Sequence, residues 1–332
     1  MEIAKPGSVS SEDTPYLTTL TSALAAGAMA LDVADRERIG DWTAAQQRRD
    51  GGFAGREGES DPYYTAFGLR TLAVLGRVDE RVANDAAAFL RGWIDRSSTV
   101  VDLISWVFSA AILQAARGHD VVGVEDSFAD RMHGFLMTLR CGDGGFAKTP
   151  EGHAGSTYQT FLSVLCHQII GTNVADRDDV DRFLAGQKHP EGGFLEIRAA
   201  KRAGVNPTAA AIGTLRCLGR LDASQCGPDL RRETLEFLSD RQTDEGGFSA
   251  NTRIPFADLL STFTAMWTVA DLVRDDDGSL ANTSWFRTSA AEAYARAMFA
   301  EGGGFTGFAL DDTADVEYTF YGLGVLCLSR LA

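Results

Sequence analysis

The sequence predicts an all-α fold, an (α/α)6 barrel in which outer and inner helices alternate. Three observations lead there. A short turn recurs five times: DGGF at 50–53, DGGF at 143–146, EGGF at 191–194, EGGF at 245–248 and GGGF at 302–305, with Glu301 just before the last. Recurrence on a period of ~50 residues marks a repeat architecture. Before each turn runs a helix of mixed polarity; after it comes a polar loop and a helix that is apolar nearly all round. An all-apolar helix must be buried on every side, whereas one with a polar face lies outside. Six such pairs fit the length of the chain.

The outer helices are expected near 34–48, 79–94, 124–140, 176–187, 228–241 and 286–299. The inner ones are expected near 61–75, 100–117, 156–170, 206–219, 258–271 and 316–331. A further inner-type helix at 13–30 must be a cap or a substitute stave. Asp61 and Pro62 supply a cap and a first helical residue at one inner helix. The unit leading to 100–117 has lost its glycines and reads STVVDLISWVF instead. In the other units the two glycines permit a tight reversal with positive φ. The Phe is expected to tuck between units and the acidic residue to cap the next helix. The repeats make residues 1–332 one domain, with 1–12 a flexible N-terminus.

A net charge of −15 argues against nucleic acid as a partner. No run of ~18 apolar residues predicts a membrane span, and the first residues lack the regions of a secretory signal. The five cysteines are odd in number and include no C-x-x-C. Buried thiols in a reducing cytoplasm are the expectation.

The pattern Q-x-x-D/E-G-G-F followed by an apolar helix, as at Gln47 and Gln242, resembles the repeat of the prenyltransferase and squalene-cyclase superfamily. The order of units looks most like the β subunit of a protein prenyltransferase, especially the Rab geranylgeranyl transferase kind. The likeness runs from about residue 13 onward. The stretch DGGFAKTPEGHAGSTYQTF resembles the family segment whose His binds the prenyl diphosphate, which implies that role for His153. EGGFLEIRAAKRAG resembles the segment whose R-x-x-K gives two more diphosphate ligands, here Arg198 and Lys201, with Arg202 as an extra cation. Arg253, in the corresponding loop of the next unit, can join them. Converging cations beside helix N-termini suit a diphosphate; loop capping and pairing with surface carboxylates is the plainer alternative. The implied ligand is a prenyl diphosphate such as farnesyl or geranylgeranyl diphosphate, with Mg²⁺ as a companion ion.

The family's catalytic zinc is held by an Asp, a Cys and a His, and on this chain those positions fall on Gly204, Asn206 and Ser261. None is a normal zinc ligand, so no zinc is expected. Shifting the match by one unit gives Asp258, Leu260 and Tyr318, which is no better.

The last unit carries LDDTAD, which resembles the D-x-D-D-T-A signature of class II terpene cyclases. The likeness places a proton donor at Asp311, with Asp312 beside it; Ala309 stands where the first Asp belongs. Counted from the helix, Asp312 and Asp315 lie closer to the motif's place. Clustered carboxylates raise one another's pKa, as does burial, and Asp311, Asp312, Asp315 and Glu317 can form such a cluster. Capping of the next helix and a Mg²⁺ site are the alternatives. Aromatic residues near the inner-helix starts, among them Tyr64, Trp106, Tyr158, Phe263, Trp267 and Tyr318, are candidates to line an apolar cavity.

The expected function is isoprenoid diphosphate binding with zinc-independent prenyl transfer to a non-thiol acceptor. A protonation-started terpene cyclase and a non-catalytic isoprenoid or partner-binding barrel are the alternatives, with a sugar-processing barrel a weaker fourth. A helical α-subunit-like partner or a homodimer accords with the resemblance.

Overall fold

The glycine turns fold in one way throughout, and that repetition builds the ring. The computed structural model describes residues 14–93, 96, 99–123, 127–273 and 285–331; the N-terminal segment 1–12 lies outside them. In each turn the first glycine of the pair next to the Phe has positive φ, for example 90° at Gly51 and 107° at Gly303. A Cβ on Gly51 would sit 2.0 Å from the Asp85 carbonyl of the next outer helix. The second glycine serves a different purpose: it lets an aromatic of that helix lie against the backbone. Phe89 packs on Gly52, Phe183 on Gly145 and Phe237 on Gly193. Phe53, Phe146, Phe194, Phe248 and Phe305 are all fully buried.

Each of these Phe residues is held by a threonine one turn inside the following helix. The Phe53 N–H donates to the Thr65 hydroxyl at 3.0 Å, and that hydroxyl donates to the Asp61 carbonyl at 2.6 Å. The same Phe-to-Thr bond recurs at Phe146–Thr160, Phe194–Thr208, Phe248–Thr262 and Phe305–Thr319. A buried N–H cannot go unpaired without cost, so the threonine is as much part of the repeat as the glycines. The acidic residue of the turn does not cap the next helix. Asp143 instead accepts from Gly145 and Gly155 and closes the turn on its own loop. The caps come from Asp61, Ser156, Asp258 and Asp315, and at α5 from a Thr99–Asp102 capping box.

Thirteen helices are described. The outer ones are α2 (Val33–Ala45), α4 (Glu80–Arg91), α6 (Phe128–Thr138), α8 (Arg177–Gln187), α10 (Leu230–Ser239) and α12 (Thr288–Ala297). The inner ones are α3 (Pro62–Val74), α5 (Val100–Arg117), α7 (Thr157–Ile169), α9 (Val205–Cys217), α11 (Leu259–Val273) and α13 (Val316–Leu328). Several outer helices stop short of their expected ends because the last residues enter the turn, as Gln46 to Arg49 do.

Each inner helix packs on the next, and α13 packs back on α3, which closes the ring. Neighbouring units are also stitched at their starts: Thr157 N–H donates to the Glu196 carbonyl and Val205 N–H to that of Ala250, both at 2.9 Å. The seam between last and first unit uses the same device as the others, with Arg38 and Trp42 of α2 against Gly303 and Gly304. α5, with 18 residues and a mean hydropathy of 1.4, is long and apolar enough by composition to cross a membrane. Here it serves as an inner stave, against the sequence expectation of no such run.

α1 (Tyr16–Met29) is a cap rather than a stave. Gly27 lies against the Cys327 backbone at the C-terminal end of α13, and the Tyr16 N–H donates to Gln168 at the end of α7. None of the five cysteines is paired, and all but Cys217 are buried.

Candidate active site

The inner helices enclose a cavity of about 420 Å³. Its floor is α1, through Tyr16, Leu17 and Leu20; its upper wall is the first turns of the inner helices, through Tyr63, Tyr158, Leu260 and Glu317. Tyr16 is fixed there by the indole N–H of Trp267, which donates to its hydroxyl at 2.7 Å. Tyr158, Phe263 and Trp267 line the cavity.

Trp106 does not. Its indole N–H donates to the Leu90 carbonyl of α4 and its ring packs on Phe128, so it faces the outer layer. A helix that is apolar all round gives no directional signal, and the sequence left that choice open. Tyr64 and Tyr318 also stand outside the lining, against the glycines Gly55 and Gly307 of the rim loops. Phe67, Phe161 and Tyr321 complete the aromatic wall.

Two of the charged residues on the wall are Arg70, which was not singled out from sequence, and Glu317, which the sequence groups with Asp311, Asp312 and Asp315. Arg70, on α3, stacks on three rings: Phe320 at 3.8 Å, Phe108 at 5.2 Å and Phe67 at 5.3 Å. Burial pulls its guanidinium down to about 10, partly offset by Tyr321, Tyr158 and Tyr63, so it stays charged at neutral pH. Glu317, in the first turn of α13, accepts from the Tyr63 hydroxyl at 2.7 Å and the Tyr321 hydroxyl at 3.4 Å. Burial raises its pKa, and the tyrosine hydrogen bonds only partly counter that. The signal was available: each is a lone charge in a helix otherwise almost free of charge.

The rim cations sit apart from the wall. His153, Arg198, Lys201 and Arg253 are exposed in the loops that precede α7, α9 and α11. Those loops are adjacent, since Thr157 bonds to Glu196 and Val205 to Ala250. No ion pair engages these four side chains among the described residues. Arg202 differs, with its guanidinium 3.1 Å from Glu191.

Within the acidic cluster it is Asp311 that is held as a carboxylate. Arg56 in the first unit's loop reaches across the seam and binds Asp311 at 2.7 and 2.5 Å and Asp315 at 2.8 Å. Burial alone would raise the Asp311 carboxyl, but Arg56 and the Gly307 and Thr313 amides outweigh it and hold it below the usual carboxylate range. A proton donor needs the opposite shift. Asp315 is the N-cap of α13 and accepts from the Tyr318 N–H. Asp312 is exposed and bonds the Thr313 hydroxyl. An Asp311 paired with Arg56 does not meet the expectation of a protonated acid, and an exposed Asp312 does not meet that of a dry one; a Mg²⁺ site there would have to displace Arg56.

The three zinc positions are engaged otherwise. Gly204 precedes α9, Asn206 accepts from the Thr264 hydroxyl at 2.8 Å, and the Ser261 hydroxyl donates to Asp258 at 2.8 Å. These side chains do not fit a zinc ion, and no group of three or more His, Cys, Asp or Glu among the described residues could hold a metal.

Solved structures that share the fold include the following three. A Candida albicans protein geranylgeranyltransferase-I complexed with GGPP superposes with a TM-score of 0.65 at 15% identity, over 88% of this chain and 90% of that one. A type II terpene cyclase from Scytonema, in complex with geranylgeranyl dihydroxybenzoate, gives 0.60 at 10% identity, over 95% and 98%. An inactive variant of an α-1,6-mannanase from Salegentibacter, in complex with α-1,6-mannotetrose, gives 0.60 at 12%, over 90% and 98%. No curated protein matches the chain. The family model for the prenyltransferase alpha-alpha toroid domain matches residues 16–331. With its closed ring of six inner helices and its glycine turns, the chain belongs to the prenyltransferase alpha-alpha toroid family.

Proposed function

We propose that the protein is an enzyme that takes up a prenyl diphosphate, tail in the aromatic cavity and diphosphate at the rim, and transfers the prenyl group to a non-thiol acceptor without zinc. The observation that carries this reading is the set of unpaired rim cations, His153, Arg198, Lys201 and Arg253, above a cavity walled by Phe263, Trp267 and Tyr158. Unpaired cations in adjacent loops, next to helix N-termini, suit a multiply charged anion. Gly204, Asn206 and Ser261 leave no means to activate a thiolate through zinc.

In the transfer step the C1–O bond of the prenyl diphosphate breaks and its electron pair leaves with the diphosphate. The acceptor atom bonds to C1, and the acceptor's proton goes to a Glu317 carboxylate oxygen. A raised carboxyl is well matched to that role. The aromatic faces stabilise the developing cation.

A second reading rests on the same Glu317. Held protonated, it would donate to a substrate double bond and start a cyclisation in which the diphosphate stays attached. This places the acid on the cavity wall instead of at Asp311.

The test is incubation with geranyl, farnesyl and geranylgeranyl diphosphates and Mg²⁺, followed by mass spectrometry. Released diphosphate or a prenylated acceptor supports transfer; a rearranged skeleton that keeps the diphosphate supports cyclisation. The double substitution Arg198→Ala, Lys201→Ala should weaken diphosphate binding by about 100-fold or more, since each charge-assisted bond is worth roughly 1.5–3 kcal/mol. Unchanged binding in that variant would sink the rim assignment.

A further inference from the structure

We infer that Arg70 is an anion-binding subsite inside the barrel, and that the molecule it receives is an apolar one ending in a single carboxylate. This deepens the isoprenoid reading, on which it partly rests, by adding a second polar anchor distinct from the rim.

Arg70 lines the cavity two turns into α3. A rise of ~1.5 Å per residue places its backbone ~12 Å below Pro62 at the helix start. The side chain makes no ion pair or hydrogen bond among the described residues. The two carboxylates on the same wall are engaged elsewhere: Glu317 by Tyr63 and Tyr321, and Glu196 by the Ser156 hydroxyl. Stacking on Phe320 occupies the face of the guanidinium. It leaves the N–H donors, which point outward in the plane of the group, unmet. The residue is half-buried, and a guanidinium withdrawn that far from water gains from hydrogen-bonded partners that aromatic contacts do not replace.

The chemistry of the ligand follows from the surroundings. A guanidinium fork matches the two oxygens of a carboxylate. A diphosphate would bring further negative charge into a wall that already holds Glu317 and Glu196, whereas a monoanion neutralises Arg70 and adds nothing more. The rest of the wall, from Phe161 to Leu17, is apolar and suits a hydrocarbon body.

The experiment compares matched probes by calorimetry at neutral pH: farnesoic acid against farnesol, then decanoic acid against decanol. The second pair does not depend on the isoprenoid reading. The wild-type protein should bind each acid at least tenfold more tightly than its alcohol. Arg70→Met should abolish that preference and leave alcohol binding in place; Arg70→Lys should retain part of it. The Arg198→Ala, Lys201→Ala variant should keep the preference in full. Because the substitution removes a half-buried, unpaired charge and keeps an apolar chain against the same rings, Arg70→Met should melt close to wild type. Equal affinity for acid and alcohol, or a preference that survives Arg70→Met, overturns the subsite. A lower melting temperature with the acid preference already absent from the wild type assigns Arg70 to holding the aromatic wall instead. Farnesyl diphosphate that binds while farnesoate shows no preference leaves the rim reading standing alone. Decanoate preference without farnesyl diphosphate binding leaves the subsite standing alone.

Discussion

The guanidinium of Arg56 holds both oxygens of Asp311 across the junction between the last unit and the first. It reaches Asp315 as well, so one cation bridges two carboxylates and ties the cap of α13 to the loop before α3. Asp311 and Asp315 are 5% and 9% exposed, while Arg56 is 35% exposed. Breaking a buried pair costs about 3–5 kcal/mol, and solvent screening of the partly exposed arginine brings the expected loss for Arg56→Ala to about 2 kcal/mol. Denaturant unfolding measures it.

The same pair sets a pH dependence. The folded-state pKa of Asp311 lies below its ordinary 3.8, so the stabilisation is fully present above that value and is lost as pH falls through the folded pKa. The gap in stability between wild type and Arg56→Ala should therefore narrow below about pH 4. A gap that is constant down to pH 2 would remove Asp311 from the account.

Glu317 shifts the other way. Its folded-state pKa lies above the ordinary 4.5, so the folded protein binds the proton more tightly and stability falls as pH rises through that window. Glu317→Gln keeps an oxygen for the Tyr63 hydroxyl and removes the titration. Turnover should drop by about 100-fold or more, while the melting temperature at pH 7 stays level or rises. Full turnover in the variant would exclude Glu317 from the proton transfer in both readings.

The threonine behind each glycine turn offers a stability test remote from the cavity. Thr319→Val leaves the Phe305 N–H buried without its acceptor. The expected cost is about 1–3 kcal/mol, read from the denaturation midpoint. A neutral result would mean that the Phe305 N–H finds another acceptor.

Two glycines with nearly equal φ separate backbone strain from steric clash. Gly51 has φ 90° and Gly58 has φ 88°. A Cβ at Gly58 meets nothing within 4 Å, but at Gly51 it runs into the Asp85 carbonyl at 2.0 Å. Gly58→Ala should cost about 1–2 kcal/mol, and Gly51→Ala clearly more. Equal costs would show that α4 yields at that contact.

Much of the ring could be read from the sequence because glycine, aromatic and apolar-helix signals coincide in every unit. Val100–Arg117 matches its expected bounds even without glycines, because Thr99 and Asp102 cap its start and Gly118 ends it in the left-handed region. The site was harder. Asp311 and Asp312 drew attention through a motif, yet Arg56, some 255 residues away in sequence, decides their charge. Such a partner is set by ring closure and leaves no local trace. Trp106 and Phe263 look alike as aromatics on apolar helices, but only Phe263 faces inward. Arg70 was missed although it carries a local signal, since a solitary charge on an apolar stave has to face a cavity or find a partner.

The docking of Gly303 and Gly304 on Arg38 and Trp42 bears on how the molecule comes apart. A linear stack of repeats frays from its two ends, where each outermost unit has one neighbour. Joined head to tail, this chain has no outermost unit. Releasing any one stave must break two interfaces at once, so the repeats should melt as a single cooperative body, and a lesion at the junction should weaken the unit opposite as much as those beside it.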